Sequence, residues 1–231
     1  VARRPCVALI SSGDEVVPPE AEVSIGQVCD VNSFSLSALV EQSGGVPIRY
    51  GIVPDQAQVL AEKARQALAA NEMLLITAGS SASSRDLTSQ VIDGQGAPGV
   101  LVHGVSVRPG KPTILAVCDG KPVIGLPGNP VSALVIAWLF VRPVIQGLLG
   151  VQRVAPRASI LAQLSLNVAS QAGREDWIPV ILKAGSQGTL AEPLFGKSNL
   201  IFTLARADGL VCIPADATGL SAGEKVEVIL L

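Results

Sequence analysis

The chain is 231 residues long, with 17 Lys and Arg against 19 Asp and Glu and a net charge of −2. At roughly 100–200 residues per domain, this leaves room for one large domain or two unequal ones. The charge is spread as 10 basic and 12 acidic residues up to position 150 and 7 of each after it, so neither part is a basic module and electrostatically driven nucleic-acid binding is excluded.

Hydrophobic residues make up 48% of the chain and aromatics only 3%, so the core must be built from Val, Leu, Ile and Ala, which suits a buried sheet flanked by helices. No apolar run reaches the roughly 18 residues of a membrane span. The nearest is Val131 to Val141, and no signal-peptide pattern follows Arg3 and Arg4. The chain is therefore expected to be cytoplasmic, with no membrane partner. Cys6, Cys29, Cys118 and Cys212 lie far apart, and His103 is the one histidine. That pattern argues against a Cys/His zinc site and fits scattered buried thiols in a reducing compartment. A start at Val1 and a single methionine, Met73, suggest a fragment or a processed product.

In chain order, Cys6–Ser11 reads as a buried strand running into the polar loop Ser11–Glu15. Asn32 is placed to cap a helix with Phe34, Leu36, Leu39 and Val40 on its apolar face and Gly44-Gly45 as its stop. Val46–Val53 is a second strand, and Asp55 precedes a helix with apolar positions at Val59, Ala64 and Leu68. Met73–Thr77 is a third strand, followed by a Gly/Ser loop to Asp86 and a helical stretch from Leu87 to Asp93. Val100–Val107, Thr113–Cys118 and Val123–Leu126 read as strands, and Pro127–Pro130 turns into a long apolar helix from Val131 towards Leu149. Strands alternating with helices imply right-handed crossovers and a mostly parallel sheet over residues 1–150. Residues 151–231 change texture, and Ile160–Val168, Trp177–Leu182, Gly209–Pro214 and Lys225–Leu231 read as strands of a small β domain.

In an open α/β sheet, ligands bind beyond the carboxyl ends of the strands. The polar segments Ser12–Glu15, Pro54-Asp55, Gly79–Asp86 and Gly125–Pro130 fall at those ends. Glu15, Asp55 and Asp86 would share one rim, where mutual repulsion calls for a cation such as Mg²⁺ or a raised pKa. The competing reading makes each acid a helix cap or a first-turn partner of the dipole. Gly79 to Ser84 could cradle an anion, although neither a P-loop nor a dinucleotide fingerprint is present. Arg108-Pro-Gly-Lys-Pro112 suits an oxyanion or a plain solvated turn. The two glycines before the long helix allow close backbone approach, with Asn129 and Ser132 as donors. His103 lies in an apolar strand and reads as a satisfied structural histidine.

Taken together, Ser12-Gly-Asp-Glu15, Asp30-Val-Asn32, Gly51-Ile-Val-Pro-Asp55, Thr77-Ala-Gly79 through Asp86, Arg108–Pro112 and Gly125–Pro130 resemble, in order and spacing, the molybdopterin-binding domain. The similarity is to the molybdopterin molybdotransferases, MoeA and the gephyrin E domain. Gly173-Arg-Glu175, Phe195–Ser198 and Ala207-Asp-Gly209 resemble that family's C-terminal β domain. The resemblance implies a three-layer α/β/α fold with a mostly parallel, MogA-like sheet and a small C-terminal β-barrel-like domain. It implies binding of molybdopterin or its adenylate, with Mg²⁺ as cofactor and molybdate as co-substrate for molybdenum insertion. By the same resemblance, Glu15, Asp55 and Asp86 match metal and catalytic positions. Asn32, Gly79, Ser80, Ser81, Ser83 and Ser84 match pterin- or phosphate-contacting positions. Arg108 and Lys111 match a basic loop for molybdate or phosphate, and Pro127, Gly128, Asn129 and Ser132 match the pocket lining. Ser80 and Ser84 stand where the family carries glycine. The family's two N-terminal domains, expected before Val1, help form a homo-oligomer and lend a carboxylate across its interface. Two alternatives stand beside this reading. One is a MogA-type adenylyltransferase, against which residues 151–231 count. The other is a non-catalytic molybdopterin-binding or sensor module.

Overall fold

In the computed structural model the chain is described over residues 3–78, 82–152, 156–185 and 188–231. It divides into two compact units, Val1–Val105 with Gly110–Val154, and Ser106–Pro109 with Ala155–Leu231. Four residues from within the first span thus belong to the second unit.

The elements in chain order are β1 (Cys6–Ser12), β2 (Val16–Val17), β3 (Val28–Cys29), α1 (Asn32–Gln42), β4 (Val46–Val53), α2 (Ala57–Ala70), β5 (Met73–Ala78) and α3 (Ala82–Asp93). There follow β6 (Pro98–His103), β7 (Val107–Arg108), β8 (Ile114–Cys118), β9 (Lys121–Pro127), α4 (Pro130–Ile136), a π-helical turn (Ala137–Val141) and α5 (Arg142–Leu148). The remainder is β10 (Ser159–Leu164), β11 (Val168–Ala169), β12 (Glu175–Gly185), β13 (Gly188–Pro193), α6 (Phe202–Ala205), β14 (Gly209–Ile213), β15 (Gly219–Leu220) and β16 (Lys225–Leu230).

The first unit is a six-stranded sheet in the order β4-β1-β5-β9-β8-β6. β4, β1, β5 and β9 are parallel, and β8 runs against both of its neighbours. Helices cover both faces, α1 with α4 and α5 on one and α2 with α3 on the other. This is the expected α/β/α arrangement. Its central strands are apolar on both sides, as burial between two helical layers requires. On the α2/α3 face Ala8, Ile10, Leu74, Ile76 and Val123 pack with Leu60, Ala64, Leu68, Val91 and Ile92. On alternate positions Val7, Leu9, Met73, Leu75 and Ile124 are equally buried.

Several expected details change. Phe34 lies outside the core, 45% exposed, with the Arg49 guanidinium over its ring at 4.2 Å. Val59 is 43% exposed, so Leu60, Ala64 and Leu68 carry the buried stripe of α2. The single strand expected over Val100–Val107 is two strands in different sheets, β6 and β7. His103 is exposed on β6, the edge strand, with Nδ1 3.4 Å from Ser89 Oγ. Cys118 alone among the four free cysteines is fully buried.

The long helix is continuous in space from Pro130 to Leu148 but passes through the π-helical turn. Pro143 has no N–H for the carbonyl one turn earlier, so the ladder shifts register ahead of it. This stretch is long and apolar enough to cross a membrane by length and composition. That corrects the expectation that no run reaches such a length. Val131, Val135, Ile136, Val141 and Ile145 are buried in the fold, as in a core helix.

In the second unit β13, β10, β16, β14 and β12 close on themselves through the β12–β13 pairing, with β7 added parallel to β12. The result is a five-stranded barrel-like sheet around Ala162, Leu164, Val180, Val211, Ile213 and Val228. β13 is a strand that the sequence reading did not anticipate, and the expected Ile160–Val168 strand divides into β10 and β11.

Gly110 has φ +127°, and a Cβ there would lie 2.3 Å from Ile136 Cγ1. Gly110→Ala is expected to destabilise the chain by about 3 kcal/mol through overpacking and a backbone that L-residues avoid. Urea denaturation checks this against the parent chain.

Candidate functional site

The carboxyl ends of β1, β4, β5 and β9 are Ser12, Val53, Ala78 and Pro127. Their register brings them level: Ser12 pairs with Val53, Ser11 with Thr77, and Ala78 with Pro127. The order reverses beside β1, since β4 lies to one side of it and β5 to the other. This is the switch point at which open α/β sheets leave a crevice. α1 to α4 run back from this edge, so their N-terminal N–H groups face the same side.

None of α1 to α4 carries an acidic residue in its first turn. The positive ends of the α2, α3 and α4 dipoles carry no acidic residue of their own first turn, whereas α1 is met by the Asp30 carboxylate just ahead of it. The helix-cap reading of the three acids is thereby corrected. Gln56, not Asp55, is the N-cap of α2. Asp86 is the fifth residue of α3 and exposed, because the helix starts at Ala82, five residues before the expected Leu87.

Asp55 is held from both sides. Ser12 Oγ donates to its Oδ1 at 2.7 Å, and its backbone N–H donates to Asp14 Oδ1 at 3.1 Å. These bonds tie the loop after β1 to the loop after β4. Glu15 lies in the turn between β1 and β2, half-buried. Its carboxylate folds back towards Gly13, where a Cβ would meet Oε2 at 2.9 Å.

Asn32 is the first residue of α1, not its cap; Val31 holds that position and makes no side-chain cap bond. Asp30 supplies the missing acceptor, with Ser33 N–H donating to Oδ1 at 3.0 Å and Ser11 Oγ donating to Oδ2 at 2.9 Å. Thr77 Oγ1 extends this chain of contacts to Ser11 at 3.4 Å. The sequence reading missed Asp30 as a functional support. The signal was an Asp three residues ahead of a helical N–H, the usual spacing for a side-chain acceptor. Asn32 is left free to reach across the edge, and its Nδ2 donates to Gly128 O at 2.7 Å. Its Oδ1 is buried with no partner among the described residues.

Pro127 is buried at the end of β9, Asn129 is the N-cap of α4 by position, and Ser132 is buried in the first turn. Gly79, Ser80 and Ser81 lie outside the described residues, as do the side chains of Ser83 and Ser84. Lys111 is exposed in the first unit. Arg108 belongs to the second, where its Nη1 lies 3.2 Å from Asp176 Oδ2. Among the described residues, no three His, Cys, Asp or Glu side chains group closely enough to hold a metal ion.

Residues 8–147 match the family described as "Probable molybdopterin binding domain", and residues 162–231 match the MoeA C-terminal region (domain IV). The chain belongs to the molybdopterin-binding domain family. It is 34% identical over 244 residues to the molybdopterin molybdenumtransferase of Nostoc sp., covering 100% of this chain and 54% of that protein. It is 31% identical over 233 residues to the Staphylococcus epidermidis molybdopterin molybdenumtransferase, covering 100% of this chain and 55% of that one. The crystal structure of the molybdopterin biosynthesis MoeA protein from Pyrococcus horikosii superposes with a TM-score of 0.85 at 37% identity, covering 99% of this chain and 55% of that one. The chain spans about half the length of the curated relatives it matches.

Asp30→Asn replaces one acceptor oxygen with a donor facing Ser11 or Ser33. It is expected to destabilise the first unit by about 1–3 kcal/mol, the cost of a buried donor left unpaired. Chemical denaturation of the variant and parent measures this.

Proposed function

We propose that the carboxyl edge of the first unit binds molybdopterin or its adenylate, and that the chain acts in molybdenum cofactor biosynthesis as part of a molybdopterin molybdotransferase. The observation that carries this reading is the level edge itself. Ser12, Val53, Ala78 and Pro127 end together, with the starts of α2 and α4, free of acidic residues in their first turns, beside them and Asn32 bridging to Gly128. An anionic phosphate-bearing ligand gains from backbone N–H groups aimed at it in advance. Asn32 Oδ1, buried and without a partner among the described residues, is an acceptor of the kind a ring N–H of the pterin would need.

Mg²⁺ fits this edge only as a shared ion. The described residues offer no three-sided acidic cage, but Mg²⁺ is commonly held by one or two carboxylates together with substrate phosphates. Asp55, fixed by Ser12, and Glu15 would be those carboxylates, and the ion would neutralise phosphate charge. Asp86, exposed on α3, would be a further acid of the site. Lys111 of the first unit, and separately Arg108 of the second, are cations of the kind that would attract molybdate. Pro127, Gly128, Asn129 and Ser132 would line the pocket, and Gly79 to Ser84 would supply the remaining donors. The working form would be a cytoplasmic homo-oligomer.

Titration calorimetry with molybdopterin tests this reading. Binding is expected, stronger with Mg²⁺ present. Asp55→Asn is expected to remove that Mg²⁺ enhancement, a loss of about tenfold in affinity on the scale of one charged contact. Heat-silent titrations at high micromolar ligand would contradict the reading. Binding without turnover of the adenylate, given molybdate and Mg²⁺, would favour the non-catalytic module.

A further inference from the structure

Asp176 is 0% exposed, a burial that ionisable side chains rarely reach without partners. It is the second residue of β12, and the sheet explains its company. β7 runs parallel to β12 with Arg108 opposite Asp176, so the two side chains stand on one face. Arg174 lies in the bend just ahead of β12, two positions before Asp176, and its side chain reaches the same carboxylate. The carboxylate is shared between them. Arg174 Nε donates to Oδ1 at 2.9 Å and Arg108 Nη1 to Oδ2 at 3.2 Å. Neighbouring Glu175 is drawn away, since Trp177 Nε1 donates to its Oε2 at 3.2 Å. The side chain of Arg108 remains 59% exposed and that of Arg174 30% exposed. Each spends one nitrogen on Asp176, and a guanidinium has five N–H donors.

We infer that Asp176 is a positioning residue, a buried carboxylate that aligns Arg108 and Arg174 so that both present their remaining N–H groups together to an oxyanion. This rests on the proposed role of Arg108 in anion binding. Two unpaired guanidinium groups repel and sample many rotamers. One carboxylate between them removes the repulsion and fixes both planes. The same bonds fasten β7, which comes from the middle of the first span, into the second unit's sheet. That pairing also has a backbone bond from Glu175 N–H to Ser106 O at 2.9 Å.

The sign of one substitution separates positioning from simple neutralisation. Asp176→Asn adds a positive charge to the cluster. If Asp176 only neutralises the arginines, molybdate binds tighter. If it positions them, molybdate binds more weakly, by about tenfold, the scale of one charge-assisted hydrogen bond. Calorimetry with molybdate alone on the parent chain and on Asp176→Asn reads this, and tighter or unchanged binding overturns the inference. Nitrogen-15 spectra of the parent chain supply a second arm that needs no variant. The Arg174 Nε–H is expected as a discrete, slowly exchanging signal, and a solvent-averaged signal overturns the inference. Failure of molybdate to bind the parent chain while that signal is present overturns the anion role of Arg108, and with it the purpose assigned to Asp176.

Discussion

Register between β1 and its parallel neighbours governs where the polar groups at the strand ends of the first unit fall. Hydrophobic patterning cannot pin it, because Val7, Ala8, Leu9 and Ile10 are buried on both faces and a slip would exchange one apolar side for another. The pinning comes from the end of the strand. Ser11, Ser12 and Thr77 are buried hydroxyls. Only the observed register gives Ser11 the Asp30 carboxylate and Ser12 the Asp55 carboxylate. A slip leaves each without its partner at about 1–3 kcal/mol per group. The bonds that fix the sheet are therefore the ones that hold the candidate site.

This coupling explains why the site's supports are small and local. Asp30 steadies the first turn of α1, which frees Asn32 from capping and sends its amide to Gly128. Asp14 and Ser12 between them fix Asp55. Low aromatic content then has a physical meaning. On the proposed reading, recognition at this edge would rest on backbone amides, carboxylates and a few side-chain amides, with polar geometry taking the place of ring stacking. The second unit repeats the device with a different outcome. There a buried acid, Asp176, gathers two cations and ties a strand from the first span into a barrel-like sheet.

Much of the α/β unit was legible in the sequence because its strands are short apolar runs separated by helix-forming stretches, although the helix starts themselves shifted. The parallel order and the convergence of strand ends follow from alternation alone. What was illegible depended on partners distant in sequence. The Asn32 cap failed because Asp30, two residues earlier, takes that role while Gly128 draws the amide away. Arg108 reads from the sequence as part of an oxyanion-binding loop or a solvated turn, and its ion pair is hidden because Asp176, 68 positions later, carries no local signal. β7 was fused with β6 because nothing within Val100–Val107 shows that its end joins another sheet. In the β domain, β13 escaped notice because its alternation is interrupted by Thr189 and Glu192, and its pairing is with β10 and β12.

The central claim, that the level strand ends form the ligand edge, is tested most directly by amide hydrogen exchange with and without molybdopterin. The account predicts that added protection concentrates at residues 12–15, 30–33, 53–56 and 128–133, with the β6 edge unchanged. Protection confined to β6 or to residues 188–231, with those four segments unaffected, would contradict it.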